Sequence, residues 1–343
     1  MLTLSERLKA FAHLGIYLDK TLKEPDHFQN DFDSVIQKAE KMNPWFTKEN
    51  QIMALNAIAQ MLKPDVLQHW TEKYLMNEKT GSVGLIMAGN IPAVGFHDLL
   101  TVLIAGRKAI VKPSSSDTVL IEFLAAKLAA FEPQLKDYIE FVDKLQKPGV
   151  VIATGSDNSA MYFEHYFKNI PHIIRRNRNS VAILSGDETK EELSLLGKDV
   201  FSYFGLGCRN VSKLMVPEGY DFKNFFEAIQ QYGDTLMQHT KYMNNYDYYR
   251  AIFLMEQKPF LTNNFLHLVE DAKIASPVST LHYQYYHSPD DLRQSLTFNL
   301  EKIQCIVSHK PLLGDEVAFG RSQYHSVTDY ADGVDTLEFL LSV

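Results

Sequence analysis

A change of rhythm at Ser82 constrains this 343-residue chain more than any other feature. Before it, apolar residues recur at three- and four-residue spacing in Leu8, Phe11 and Leu14 and again in Ile52, Leu55, Ile58 and Leu62, the period of amphipathic helices, through to about Asn77. Thr3 with Glu6 reads as a capping box, and Pro64 suits the first turn of a later helix. After Ser82, short apolar runs at 83–88, 108–112, 138–142, 149–154 and 181–185 alternate with helical stretches at 94–105, 117–131 and 158–168. Continuous apolar runs joined by crossover-length helices read as parallel strands buried on both faces, and the handedness of such connections makes the sheet doubly wound. A second set follows Cys208, with strands at 211–216, 251–256, 282–286 and 304–308 and helices at 222–232 and 289–300. The expected architecture is α/β: a helical lead and a cofactor-type unit over 1–204, a second doubly wound unit over 205–310 hinged near Gly205-Leu206-Gly207, and a polar tail, 311–343, whose place the pattern does not give.

Composition excludes several classes of function. Hydrophobic residues make up 45% of the chain and aromatic ones 12%, enough for a sizeable core. Lys+Arg 34 against Asp+Glu 42 gives a net charge of −8, with the cations scattered, so nucleic acid is not the expected partner. The first residues have no basic-then-apolar leader pattern, and no apolar run is long enough to span a bilayer, which together predict a cytoplasmic protein with no membrane span. The two cysteines, Cys208 and Cys305, form no CxxC pair, and the 12 histidines show no HExxH spacing; no disulfide framework and no metal are expected.

Four segments could carry chemistry, each with a structural reading beside the functional one. Cys208 lies in Gly205-Leu206-Gly207-Cys208-Arg209-Asn210 between a helix pattern and a strand; a thiolate there could attack a carbonyl, while a lone cysteine more commonly fills a junction as a small hydrophobe. Cys305, inside an apolar run, reads as core. Asn90, in Ala88-Gly89-Asn90-Ile91-Pro92 at the end of the first strand, can offer its amide to an oxyanion or simply make a turn. Lys112-Pro113-Ser114-Ser115-Ser116-Asp117 suits a ribose or its phosphate, or caps a helix. Thr154-Gly155-Ser156 could present N–H groups to a pyrophosphate, and capping explains it too. GxGxxG and GxxxxGK[ST] are both missing from the sequence.

In this order and at these separations, the four segments resemble the aldehyde dehydrogenase superfamily over about 82–216. The resemblance implies Cys208 as nucleophile, Asn90 in the oxyanion hole, Lys112 with Ser114 and Ser115 at the adenosine ribose, and Thr154, Gly155 and Ser156 near the nicotinamide nucleotide. Two departures bear on the reaction. Where hydrolytic members carry a general-base Glu, the sequence reads Arg175-Arg176-Asn177-Arg178-Asn179-Ser180-Val181, with no carboxylate to activate water. Three positions after Lys112, the usual acidic partner of the NAD ribose is Ser115, which implies NADPH. Within the superfamily the chain is similar to the fatty acyl-CoA reductases that include the reductase component of bacterial luminescence. Asn43-Pro44-Trp45-Phe46-Thr47, the Gly-Asn-Ile-Pro segment, GLGCRNVSK and the closing Tyr330-Ala331-Asp332-Gly333-Val334-Asp335 carry that similarity.

The resemblance implies reduction of an acyl-CoA thioester to an aldehyde through an acyl-Cys208 enzyme. It leaves open an acyl-donating enzyme partner, a homo-oligomer and the chain length of the acyl group. His97 is a candidate acid or base and also a candidate for a backbone hydrogen bond; Arg209 and the 175–178 cations are candidates for CoA phosphates; aromatic rows at 242–249 and 282–287 are candidates for an acyl channel or for sheet packing. The rival readings are aldehyde oxidation with NAD(P), acyl transfer without reduction, and a non-catalytic subunit that keeps the fold to bind a partner.

Overall fold

The lead folds as the helical period requires. In the computed structural model, which describes residues 2–23, 30–76, 80–146, 148–314 and 316–343, helix α1 (Leu4–Lys23) starts on the capping box. Thr3 Oγ1 accepts from Glu6 N (3.3 Å) while Glu6 Oε2 accepts from Thr3 N (2.8 Å). Helix α1 buries Phe11, Leu14 and Leu18, followed by α2 (Asn30–Met42), α3 (Lys48–Met61), which Thr47 caps, and α4 (Pro64–Thr71), which Pro64 opens. Gly15 sets the α1–α3 approach, since a Cβ there would fall 2.7 Å from Leu62 Cβ. The end placed at Asn77 lies outside the described residues.

Five parallel strands follow: β1 (Ser82–Ile86), β2 (Lys108–Lys112), β3 (Ile139–Phe141), β4 (Val150–Thr154) and β5 (His172–Arg175), in the order β3-β2-β1-β4-β5. Helices α5 (Phe96–Ile104), α6 (Thr118–Phe131) and α7 (Asp157–Phe167) make the crossovers. The chain steps from β1 to β3 on one side and returns to the other side of β1, so strand order reverses between β1 and β4. Helix α5 buries eight of its nine residues, all but His97, because it is packed by both the lead and the sheet.

The second sheet has the order β11-β6-β7-β10-β9-β8 and is parallel except for β8 against β9. It is built from β6 (Asn179–Ile183), β7 (Val211–Pro217), β8 (Leu261–Thr262), β9 (His267–Glu270), β10 (Thr280–Tyr286) and β11 (Ile303–Ser308). Its helices are α8 (Lys190–Phe201), α9 (Lys223–Ile229), α10 (Gly233–Gln238), α11 (Thr240–Met255) and α12 (Pro289–Phe298). By their internal contacts, residues 1–177 with 325–343 form one compact unit and 178–324 the other. The division thus falls at 177/178, where the sequence reading puts it at 204/205. The reason is β6: its apolar run reads as the next strand of the first sheet, yet it pairs with β7 and β11.

The stretch 251–256, expected as a strand, is the end of α11, and the aromatic row at 242–249 lies on a helix rather than a sheet. Tyr242, Tyr246, Tyr249 and Phe253 recur at four, three and four residues, a helical stripe that the run Ala-Ile-Phe-Leu-Met disguises, since short apolar runs look alike in either state. His239 caps this helix, its Nδ1 accepting from Tyr242 N at 3.2 Å. Strands β5, β8 and β9 are too short to stand out in the sequence.

Of the tail that the sequence could not place, 311–324 stays with the second unit and 325–343 returns to the first. Helix α13 (Thr336–Ser342) buries Leu337 and Leu340 in the core shared by α1 and α5. A chain of hydrogen bonds fixes its approach: Trp70 Nε1 donates to Tyr330 Oη (2.7 Å), the Tyr330 and Tyr74 hydroxyls lie 3.0 Å apart, and Tyr74 donates to Asp335 Oδ2 (2.7 Å). Beside it, Arg175 Nη1 meets Asp98 Oδ2 at 2.5 Å and Nη2 donates to Thr336 Oγ1 at 2.9 Å, both partners of the ion pair being buried. Tyr330→Phe leaves the buried Trp70 N–H without an acceptor and lowers stability by about 1–3 kcal/mol in urea denaturation. Arg175→Leu strands the Asp98 carboxylate and costs about 3–5 kcal/mol by the same measurement. Arg176→Leu, which breaks an exposed pair with Glu164, costs less than about 1 kcal/mol.

Candidate active site

Three loops leave the carboxyl edge of the first sheet side by side. Ile86 at the end of β1 is in register with Lys112 on one flank and Ala153 on the other, which puts Lys112 and Ala153 about 10 Å apart across β1. Asn90, the Lys112–Ser115 segment and Thr154-Gly155-Ser156 therefore emerge on one edge, although 22 positions separate Asn90 from Lys112 in the chain and 42 separate Lys112 from Thr154.

The Asn90 loop lies directly on the Ser114 loop. A Cβ on Gly89 would fall 2.4 Å from Ser114 Oγ, so only glycine allows this approach. Asn90 is exposed, and Ala93 takes a left-handed backbone (φ 53°). Both polar groups of Ala93 are used: its N–H donates to Asp117 Oδ2 (2.7 Å) and its carbonyl accepts from Phe96 N (3.0 Å). Asp117 is buried, and burial pushes its carboxyl up to about 8, partly offset by the Ala93 bond. On the next loop Lys112 and Ser114 are half-buried and Ser115 is exposed; Ser114 Oγ accepts from Ser116 N (3.3 Å), and Asn43 of the helical lead reaches Ser116 O (3.4 Å). Ser156 caps α7 by accepting from Ser159 N (3.3 Å), so the capping reading of this residue is realised, and Gly155 N donates to Arg175 O (3.2 Å).

Cys208 belongs to the second unit, in the turn between α8 and β7. Three consecutive left-handed residues, Tyr203 (φ 51°), Phe204 (φ 57°) and Gly205 (φ 78°), lead into it, and such geometry in Tyr and Phe costs about 1–2 kcal/mol each. Asn210 holds the turn. Fully buried, it accepts from Gly207 N through Oδ1 (2.8 Å) and donates through Nδ2 to Asp199 O (3.0 Å) and Ser202 O (2.8 Å), while its own N–H returns to Gly207 O (3.0 Å). Ser180 Oγ donates to Cys208 O (3.1 Å). Buried Asp199 accepts from Gly320 N (2.6 Å) and Ser322 N (3.0 Å), pinning the following segment, to which Arg209 also reaches at Ser322 O (3.4 Å). Cys208 itself is half-buried, whereas Cys305 lies buried in β11.

Other candidates find structural partners. His97 Nε2 is 2.8 Å from Val327 O, and burial holds its imidazole below the usual range. The 175–178 cations are engaged by Asp98, Glu164 and, from Arg178, Ile303 O (3.4 Å). Among the described residues one group, Asp187, Glu188 and His309, brings three ligand-type atoms within 4.8 Å of one another. Lys310 sits on Asp187 and the N–H groups of Ser185 and Gly186 on Glu188, so the carboxylates are already engaged. The residues without a role in the sequence reading are Asn210 and Asp117; a polar residue two after the cysteine, and an Asp opening a helix, were the only signals.

No curated protein is similar enough in sequence to count as a match. Solved structures share the fold. Aldehyde dehydrogenase 21 from Physcomitrella patens, in complex with succinate, has a TM-score of 0.69 at 12% identity, covering 99% of this chain and 84% of its own. An aldehyde dehydrogenase from Bacillus cereus in its NAD+ complex gives 0.64 at 12% over 90% and 72%. The propionaldehyde dehydrogenase from the fucose utilisation microcompartment of Clostridium phytofermentans gives 0.62 at 9% over 94% and 82%. The fold is that of aldehyde dehydrogenases. The family model described as Acyl-CoA reductase (LuxC) matches residues 18–219, more than half of the sequence, a span that takes in Asn90, Lys112, Thr154 and Cys208. The chain belongs to the acyl-CoA reductase (LuxC) family.

Proposed function

We propose that this oxidoreductase reduces an acyl-CoA, of the fatty acyl class, to an aldehyde with NADPH through a covalent acyl-Cys208 enzyme. The observation that carries the reading is the construction of the Cys208 turn. A half-buried thiol held by a fully buried Asn210, behind two strained aromatic residues, is an outlay that a cysteine serving only as filler does not need. In the proposed reaction the Cys208 thiolate attacks the thioester carbonyl, Asn90 and the Cys208 N–H stabilise the oxyanion, a bond forms between Cys208 Sγ and the acyl carbon, and the carbon–sulfur bond to CoA breaks. CoA leaves as its thiolate, which takes a proton from solvent. The arginine-rich stretch after β5 supplies no carboxylate to activate water, and Arg175 is committed to Asp98, which favours retention of the acyl group over hydrolysis.

The first unit suits a phosphorylated dinucleotide by its donor set. Lys112 and the hydroxyls of Ser114 and Ser115 stand at the carboxyl edge of the first sheet, one strand away from the β1–β4 reversal, and the only carboxylate of segment 112–117, Asp117, is buried and turned onto Ala93 N. Lys112 and Ser115 would hold the adenosine ribose and its 2′-phosphate, and the Thr154-Gly155-Ser156 turn would border the nicotinamide end. When bound, the dinucleotide supplies the hydride that releases the acyl group as aldehyde and returns Cys208 as thiolate. Residues 1–177 with 325–343 thereby form the cofactor unit and 178–324 the catalytic unit. An acyl-donating enzyme partner is compatible with this chemistry.

Intact-protein mass after incubation with acyl-CoAs of mixed length shows an acyl adduct on the wild type and none on Cys208→Ala, and NADPH discharges the adduct with release of aldehyde. A folded wild type that takes no acyl group from any of them rules the reading out. Ser115→Glu places a carboxylate beside the 2′-phosphate and lowers the ratio of kcat/KM for NADPH over NADH at least about 10-fold, since like charges in contact cost several kcal/mol. An unchanged ratio means that Ser115 does not face the ribose.

A further inference from the structure

We infer that Asp117 is a positioning residue for acyl transfer: it fixes the loop that carries Asn90 and ties that loop to the 112–116 segment. The inference rests on the oxyanion role proposed for Asn90. An aspartate at a helix N-cap ordinarily accepts from the N–H groups of its own first turn. Asp117 is the N-cap of α6 and makes no such bond. Its carboxylate is turned instead onto Ala93 N, 24 positions earlier and three beyond Asn90, at 2.7 Å.

The receiving residue needs help. Ala93 sits at φ 53°, a conformation that residues other than Gly, Asn and Asp mostly avoid, and its two backbone groups are held by Asp117 and Phe96. The rest of the loop has little freedom to adjust, because Gly89 is pressed onto Ser114 and a Cβ on Gly95 would fall 2.5 Å from Met87 Sδ. Asp117 is 3% exposed, and its Oδ1 has no hydrogen-bond partner among the described residues, so the side chain is buried with half its bonding capacity unused in order to keep this one contact. Its own N–H is bonded to Ser114 O (3.0 Å), which makes a single residue the joint between the two loops. A carboxylate that served only α6 would cap α6.

The test separates position from folding. Asp117→Ser restores a local cap for α6 while its hydroxyl is too short to hold Ala93, and Asp117→Thr does the same as a second variant. Asp117→Asn keeps an acceptor oxygen for Ala93 N. Single-turnover acylation of Cys208 by an acyl-CoA, without NADPH, is measured beside acyl-CoA affinity and amide exchange over 88–93. The expected result is acylation slowed about 10- to 100-fold in D117S and D117T, with unchanged acyl-CoA affinity and faster exchange in the loop, and most of the rate retained in D117N. D117S or D117T acylating at the wild-type rate overturns the inference, as does D117N as slow as they are. A wild type that accepts no acyl group overturns the function proposed above and this role with it, whereas normal acylation in every variant overturns this role alone.

Discussion

Parallel pairing of β2, β1 and β4 is the constraint on which the first unit depends. A parallel ladder sends the carboxyl end of every strand to the same edge, and the register Lys112–Ile86–Ala153 puts three loops there at one level. That geometry requires helices on the sheet faces and a core continuous with them, which the lead and α5 supply through Phe11, Leu14, Leu55 and the apolar length of Phe96–Ile104. The C-terminal segment completes the same core with Leu337 and Leu340, and the Trp70–Tyr330–Tyr74–Asp335 chain fixes where it enters. Buried donors and acceptors that satisfy one another in this way add specificity to an apolar core that would tolerate several tail positions.

The second unit secures its cysteine by different means. One buried amide, Asn210, gathers the carbonyls that α8 leaves unpaired at its end and the N–H of Gly207 into a single knot around the turn. The left-handed Tyr203 and Phe204 are affordable because both rings are buried, Phe204 against His239 and Tyr242, so apolar burial offsets the backbone cost.

Much of this was legible in the residues. Strands β2, β4, β7, β10 and β11 and helices α5, α6, α7 and α12 lie within a few positions of their sequence patterns, because alternation of short apolar runs with amphipathic stretches has few readings. Family membership was legible too, from the joint order of four segments that are each ambiguous alone. The failures share one cause. The 251–256 run is apolar enough for a strand, and only the spacing of Tyr242, Tyr246, Tyr249 and Phe253 around it reveals the helix. The 181–185 run looks like the fifth strand of the first set, and nothing local says that it pairs with β7 instead.

The sequence by itself determined the α/β class, most of the element types, Cys305 as the core thiol, and the residue kinds at the three strand ends, since these depend on periodicity and on side-chain chemistry within a few positions. Only the tertiary structure decided which sheet β6 joins, where residues 325–343 return, and that Asp117 serves Ala93 rather than its own helix. Those outcomes depend on contacts between residues 24 to some 260 positions apart, and a backbone N–H or a carboxylate carries no mark in the sequence of the partner that burial will force upon it.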